Sequence, residues 1–321
     1  MTTDTLRRPP PGPADPTAKA GRNRPRYRRH RPGIAYLFLS PWVCGALLLT
    51  LGPMLASLYL SFTDYDLFTS PNWVGLENYK RLFTDDARFL ASAKVTATYV
   101  LISVPLKLAA ALAVAMLLNN ARRGQGFYRS AFYAPSLLGT GVAIALAWRA
   151  LFTDNGVVDS LTGQVGWDTG GWINEPDYAI YVLIILAVWQ FGAPMVIFLA
   201  GLKQVPQELY DAAAVDGSGR WRTFRSVTLP MLSPIILFNL VLETIHAFQA
   251  FTPAFIVSGG RGGPSNSTLF YTLYLYERGF SQFRMGYASA MAWILLITVA
   301  LITALFFGTS RRWVFYAGEN K

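Results

Sequence analysis

The chain has 321 residues, of which 53% are hydrophobic and 14% charged, with a formal net charge of +10. Its apolar residues gather in long blocks, which excludes a single soluble core. One cysteine, Cys44, and two histidines, His30 and His246, exclude a disulfide framework and a histidine-cysteine metal cluster.

Residues 1–33 are rich in Pro, Gly and Arg and cannot pack a core; they read as a disordered basic tail facing solvent and anionic lipid. The next region, 34–91, holds a first apolar block at roughly 35–60 and a following surface segment. That block is too long for a signal peptide and no small-x-small cleavage site follows it, so it reads as an uncleaved anchor. Trp73-Val74-Gly75-Leu76-Glu77-Asn78-Tyr79 is amphipathic, and its Trp and Tyr suit a membrane interface. Five further blocks, at roughly 92–118, 132–152, 179–201, 235–257 and 286–308, each reach the ~20 residues that cross a bilayer core. The expectation is an all-α polytopic membrane protein of about six transmembrane helices, with a core over 92–308 and a tail over 309–321.

Charge sets the orientation. Arg7, Arg8, Lys19, Arg22, Arg24, Arg26, Arg28, Arg29 and Arg31 crowd the first tail, while the 153–178 loop carries Asp154, Asp159, Asp168, Glu175 and Asp177 and no Lys or Arg. With both termini cytoplasmic, nineteen Lys and Arg fall in inside segments and six outside, the positive-inside asymmetry. A nucleic-acid arm would interleave aromatic or base-reading residues with its arginines, and here Tyr27 stands alone. The basic balance therefore points to membrane topology and not to nucleic acid.

A polar loop at 202–234 interrupts this apolar pattern. Pro206 opens a helix through Glu208, Tyr210, Asp211 and three alanines, and Asp216-Gly217 ends it in a tight turn. Ser218 is expected to cap a second short helix carrying Arg220, Arg222 and Arg225, which Pro230 and Pro234 are expected to stop. The product is a helix-turn-helix knob suited to a soluble partner. In the span that follows, Asn239, Glu243 and His246 recur at spacings of four and three on one face, which Ala250 and Pro253 continue. Polar groups in a span are costly and face a cavity or a neighbouring span. Two readings lead: the stripe lines a translocation cavity, with Gln249 at its margin and Trp189, Gln190, Phe248 and Phe251 contributing, or Glu243 and His246 pair with other spans; a proton relay has little basis in a lone His-Glu pair without further acidic partners. Lys107, just after Pro105, either snorkels or pairs with an acid. Nothing resembles a catalytic triad or a redox site, and there is no Gly-x-x-x-x-Gly-Lys-Ser/Thr loop, so if ATP drives transport the ATPase is a separate polypeptide.

The knob resembles the loop of binding-protein-dependent ABC importer permeases, whose pattern is Glu-Ala-Ala, three residues, Gly, then a Phe and a Leu-Pro. Asp211-Ala212-Ala213 stands for Glu-Ala-Ala, followed by Asp216-Gly217, Phe224, Leu229-Pro230 and Pro234. Asp211 replaces the usual Glu, and Ser218 a common Ala. The stretch 73–79, Phe127-Tyr128-Arg129-Ser130-Ala131-Phe132-Tyr133-Ala134-Pro135 and Gly259-Gly260-Arg261-Gly262-Gly263-Pro264 are similar to the sugar branch of that family. The resemblance covers about 34–308. It implies a type I ABC importer permease fold in a bacterial-type plasma membrane, with no cofactor and no chemistry on this chain. It implies coupling to a cytoplasmic ATPase dimer through Glu208, Asp211, Ala212, Ala213, Asp216, Gly217, Arg220 and Phe224. The other partners implied are a second permease subunit, giving a heterodimer, an extracytoplasmic solute-binding protein, and lipid. The solute implied is a sugar or oligosaccharide.

The rivals are an ion-coupled secondary transporter of a small polar solute, which needs ionisable groups deep in several spans, and a structural or signalling membrane protein, which leaves the knob and the stripe without a role. The charge asymmetry makes a direct test: a topology reporter fused after Lys321 is active in the cytoplasm and one inserted at Asp168 outside. Both reporters on one side would remove the six-span reading.

Overall fold

The computed structural model describes residues 32–120, 124–139, 141–164, 166 and 170–315. The basic cluster of the first tail and Asp168 lie outside the described residues. The chain forms two compact units, one ending at Gly52 and one beginning at Pro53.

In the first unit, α1 (Pro32–Gly45) leads into a π-helical turn, Ala46–Leu51. Pro41 lies inside α1 and cannot bond the carbonyl of Leu37; the Ser40 hydroxyl donates to it instead, at 2.7 Å. Side chains such as Phe38, Trp42 and Leu49 are exposed, as they are on a surface whose solvent is hydrocarbon. The first candidate span, Tyr36–Ser61, is 26 residues long and includes α2 (Gly52–Ser61).

The second unit starts with a two-stranded antiparallel ladder, β1 (Thr63–Asp64) and β2 (Asn72–Trp73), pairing Thr63 with Trp73 and Asp64 with Asn72. Of the amphipathic segment 73–79, Trp73 joins β2 and only Glu77-Asn78-Tyr79 enter α3 (Glu77–Thr84), whose inward Asn78 amide donates to the carbonyls of Ser61 and Thr63, both at 2.9 Å. Those carbonyls lie at and just beyond the C-terminal end of α2, where no helical donor reaches them. The central helix, α4 (Ala87–Asn119), packs against the fourth and fifth spans.

The third and fourth candidate spans are each broken. The third consists of α5 (Gln125–Leu138) and α6 (Val142–Phe152), followed by α7 (Val157–Gln164), with a bend of more than 40°. The fourth consists of α8 (Pro176–Trp189) and α9 (Gly192–Leu202), bent by 40°. The two breaks meet. Ser136 Oγ donates to the Gln190 carbonyl at 2.9 Å and accepts from the Ala193 N–H at 3.1 Å, while Gln190 Nε2 donates to the Gly139 carbonyl at 3.0 Å. Each break therefore satisfies backbone groups that the other has left open. The approach needs a glycine at 192, where a Cβ would lie 2.5 Å from the Phe132 carbonyl oxygen.

Beyond α9, the loop holds α10 (Gln207–Val215) and α11 (Arg220–Thr223), then a π-helical turn, Phe224–Thr228, and α12 (Leu229–Phe248). The expectation that Pro230 and Pro234 stop the second short helix is wrong: one helical run extends from Arg220 to Val257, 38 residues. Pro230 falls just after the π turn, and the Pro230 carbonyl, which Pro234 cannot bond, accepts from Ser233 Oγ at 2.6 Å. The same Ser-Pro device thus rescues both α1 and α12. α13 (Thr252–Val257) closes that run, followed by a 3₁₀ turn at Pro264–Asn266, α14 (Tyr271–Tyr276), a π-helical turn at Glu277–Ser281, and α15 (Met285–Ser310).

The end of the bundle opposite the loop is held by ions. Asp86 caps α4 by accepting from the Phe89 N–H at 3.0 Å, and its carboxylate also accepts from Tyr274, from Tyr287 and from Arg278. Arg278 bonds the Tyr274 hydroxyl, and Arg88 grips Glu277 through two bonds of 2.7 and 2.9 Å. Burial opposes ionisation of Asp86, but the Tyr274, Tyr287 and Phe89 donors and the Arg278 charge outweigh it and hold the carboxyl below its ordinary range. A depressed folded value means that this clasp stabilises fully above the unfolded carboxylate pKa, about 4, and is lost as pH falls through the folded value. We expect thermal stability in detergent to fall below about pH 4, and Arg278→Leu to cost about 3 kcal/mol near neutrality by leaving Asp86 uncompensated. A wild-type melting temperature for Arg278→Leu, with an unchanged acid limb, would contradict this.

Candidate functional site

Two places carry function-bearing side chains: the loop between the fourth and fifth spans, and a cavity inside the bundle.

In the loop, Gln207 follows Pro206, and α10 carries Glu208 in its first turn, where the helix dipole favours a carboxylate. Asp211, one turn on, accepts from Gln207 Nε2 at 3.2 Å. Ala213 is buried against the loop while Ala212 is exposed. The end of α10 is a Schellman turn: the Gly217 N–H bonds the Ala214 carbonyl at 3.1 Å and the Ser218 N–H the Ala213 carbonyl at 2.9 Å. That geometry requires the left-handed φ of +68° at Gly217, which a larger side chain resists by roughly 1–2 kcal/mol.

Ser218 does not cap the second helix, contrary to expectation. Gly219 holds the capping position without a side-chain bond, because the Ser218 N–H and the turn around Gly217 have already fixed the chain one residue earlier. Arg220 opens α11, and Phe224 packs its ring 5.5 Å from Trp221. The Tyr210 and Thr228 hydroxyls lie 3.2 Å apart and tie α10 to the π turn. Sequence reasoning passed over the most exposed apolar groups of the knob, Val215 at 88% and Trp221 at 73%. The signal was available, since a Trp between two arginines on a polar loop has no core to enter.

The cavity, of about 410 Å³, is walled by α4, α8, α12, the α5/α6 break and the segment after α12. Of the residues expected there, Gln190, Glu243, His246 and Gln249 line it, with Phe251 and Pro253. Asn239 and Trp189 do not. Asn239 sits one turn nearer the loop, where the helices close; it is 1% exposed and its amide bonds back to the Ile235 carbonyl of its own helix. Trp189 packs its ring against Trp148, with centroids 5.4 Å apart and planes tilted by 35°. Phe248 is buried in the core.

Glu243 meets Lys107 of α4 at 2.7 Å, with side chains 10% and 16% exposed. Both open readings of this carboxylate therefore meet in one place: it is paired across spans, and the pair forms part of the cavity wall. Removing one partner of a buried pair costs about 3–5 kcal/mol, so the two charges are held as a unit. Tyr99 and Ser103 also line the cavity and precede Lys107 by eight and four residues. The helical spacing that picked out the fifth-span stripe would have found them on α4. Gln190 lines the cavity and donates Nε2 to the Gly139 carbonyl, which fixes the orientation of its amide. The site is thus a mixed wall of amides, hydroxyls, one ion pair and an aromatic face, able to hydrogen-bond a polyhydroxylated solute; among the described residues no group of metal-ligating side chains occurs.

The family profile described as binding-protein-dependent transport system inner membrane component matches residues 88–313. The chain is 52% identical over 287 residues to the probable ABC transporter permease protein YesP of Bacillus subtilis (strain 168), covering 89% of this chain and 93% of that protein. It is 31% identical over 282 residues to the lactose transport system permease protein LacF of Rhizobium radiobacter, covering 86% of this chain and 93% of that one. Its fold matches that of a bacterial alginate ABC transporter crystallised with its alginate pentasaccharide-bound periplasmic protein, with a TM-score of 0.75 over 88% of this chain and 95% of that one, at 21% identity. A broken-helix bundle carrying a polar knob and an internal cavity is thereby placed among relatives that span the membrane several times. The chain belongs to the family of inner membrane components of binding-protein-dependent transport systems.

Proposed function

We propose that this protein is the membrane-spanning permease subunit of an ATP-driven importer, translocating a sugar or oligosaccharide that an extracytoplasmic binding protein delivers. The observation that carries this reading is the knob at 207–223, whose Val215 and Trp221 stand exposed on a turn closed by backbone hydrogen bonds. A rigid apolar tip on a polar loop suits a partner that binds and releases it. The partner is a cytoplasmic ATPase dimer contacting Glu208, Asp211, Ala212, Ala213, Asp216, Gly217, Arg220 and Phe224, and both termini lie on that side. A second permease subunit completes the pore. The sugar assignment draws on the lactose permease relative and on the hydrogen-bonding character of Gln190, Glu243, His246 and Gln249.

Work enters through the knob. Arg220 and Glu243 lie on one helical run, about 35 Å apart at 1.5 Å per residue. Tilting the knob therefore moves the cavity wall directly, and only differential contact with the two ATPase states can drive it. The Lys107–Glu243 pair moves with that wall.

Two experiments test the assignment. Gly217→Val and Asp211→Lys, each expected to insert in normal amounts, should reduce co-purification of the ATPase several-fold and uncouple ATP hydrolysis from uptake; normal pull-down and normal uptake in both would sink the coupling role. Glu243→Gln keeps a hydrogen bond to Lys107 while removing charge, so uptake should fall about tenfold, equivalent to ~1.4 kcal/mol, with the complex intact. Loss of the complex would make the pair a purely structural one.

A further inference from the structure

Four aromatic rings in mutual contact run from the cavity to the surface of the segment that precedes α15. Phe251 lines the cavity. Its centroid lies 5.3 Å from Phe255 and 5.2 Å from Tyr276. Phe255 meets Tyr276 edge-on at 5.8 Å, and Tyr276 stacks on Phe280 at 5.3 Å with planes 24° apart. Exposure increases along the row: Phe251 is half-buried, Tyr276 is 38% exposed and Phe280 58%.

This row is held rigidly. The Thr272 hydroxyl donates to the Ala250 carbonyl and pins α14 beside Phe251. Glu277 and Arg278, between the two outermost rings, are engaged with Arg88 and Asp86 in the ionic clasp. The π-helical turn at Glu277–Ser281 follows directly on Tyr276, so its widened first turn sets the spacing of Tyr276 and Phe280. A row of aromatic faces that begins beside paired charges and ends in a polar cavity is poorly suited to hydrocarbon. Apolar packing alone would not lead the row into a wall of amides, hydroxyls and an ion pair.

We propose that Tyr276 and Phe280 form an entry subsite on which pyranose rings of the arriving oligosaccharide stack before reaching Phe251 in the cavity. The apolar C–H face of a pyranose carries slight positive charge and complements the negative face of an aromatic ring. Stacking of this kind is weak per ring and indifferent to hydroxyl pattern, so a sugar chain advances from one ring to the next without a deep trap. The subsite rests on the sugar reading above, and its ligand class is pyranose oligomers.

The test uses the complete importer in proteoliposomes, with its ATPase, second permease and binding protein. The probe is a radiolabelled mixture of lactose with starch-derived and alginate-derived oligosaccharides, the sugars named for similar proteins, scoring whichever the wild type accumulates. Tyr276→Leu and Phe280→Leu keep apolar bulk and lose the ring face; each should lower uptake per ATP hydrolysed about fivefold, the size of one aromatic contact. Phe280→Trp and Tyr276→Phe should restore it. Wild-type uptake in both Leu variants would overturn the subsite and leave a membrane-interface belt. Uptake and hydrolysis falling together, at unchanged uptake per ATP, would overturn it in favour of a docking surface for the binding protein. A wild type that accumulates sugar without ATP would instead defeat the importer reading itself, and one that accumulates none of these sugars would defeat the sugar reading on which the subsite rests.

Discussion

A helix broken inside hydrocarbon leaves carbonyls and amides that no water reaches, and the bundle is organised around meeting that demand where two spans break together. Ser136 closes the gap between α8 and α9, and Gln190 closes the gap after α5. Neither break is tolerable alone, because each draws its missing partner from the other. Their meeting point also fixes where the cavity can be: Gly139 and Gln190 form part of its wall. The irregular backbone that the bilayer forbids elsewhere is admitted here, beside a polar space. The close approach behind it depends on the missing side chain at Gly192.

The two ends of the bundle are treated differently. At one end Asp86, Arg278, Arg88 and Glu277 form a dense set of charge-assisted bonds that tie α4 to the π-helical turn before α15. At the other end the knob is joined to the bundle by continuity of helix and by the Tyr210–Thr228 contact. Breaking the first kind of contact exposes buried charge, whereas the second kind lets a segment move as a body. The distribution of bonds suits a molecule anchored at one face and worked from the other.

Much of this was legible in the sequence because hydrophobic length and charge placement are one-dimensional signals. The turn at Asp216-Gly217 appears where expected, and four of the apolar blocks are unbroken spans, while the blocks at 132–152 and 179–201 turn out to be bent helix pairs. Proline was misread. Pro230 and Pro234 do break the hydrogen-bond ladder, but a π turn and the Ser233 hydroxyl absorb the defect, and neither compensation shows in a propensity argument. Asn239 shared a helical face with Glu243, yet the cavity ends between them, since face periodicity gives an angle and not a depth. The Asp86 clasp was invisible because its members are about 190 residues apart in sequence, and only tertiary packing brings them together. Lys107 stood open between snorkelling and pairing with an acid, and Glu243 could be named as its partner only once α4 and α12 were seen side by side.

The π-helical turn at Phe224–Thr228 carries a further meaning. An α-helix advances about 100° per residue, so the direction in which the knob points relative to the cavity is counted in residues along the run from Arg220 to Val257. A π turn holds one residue more than the α-helical path would use. The knob and the cavity are thus two hands of one dial, and that single extra residue sets the hour at which they are read.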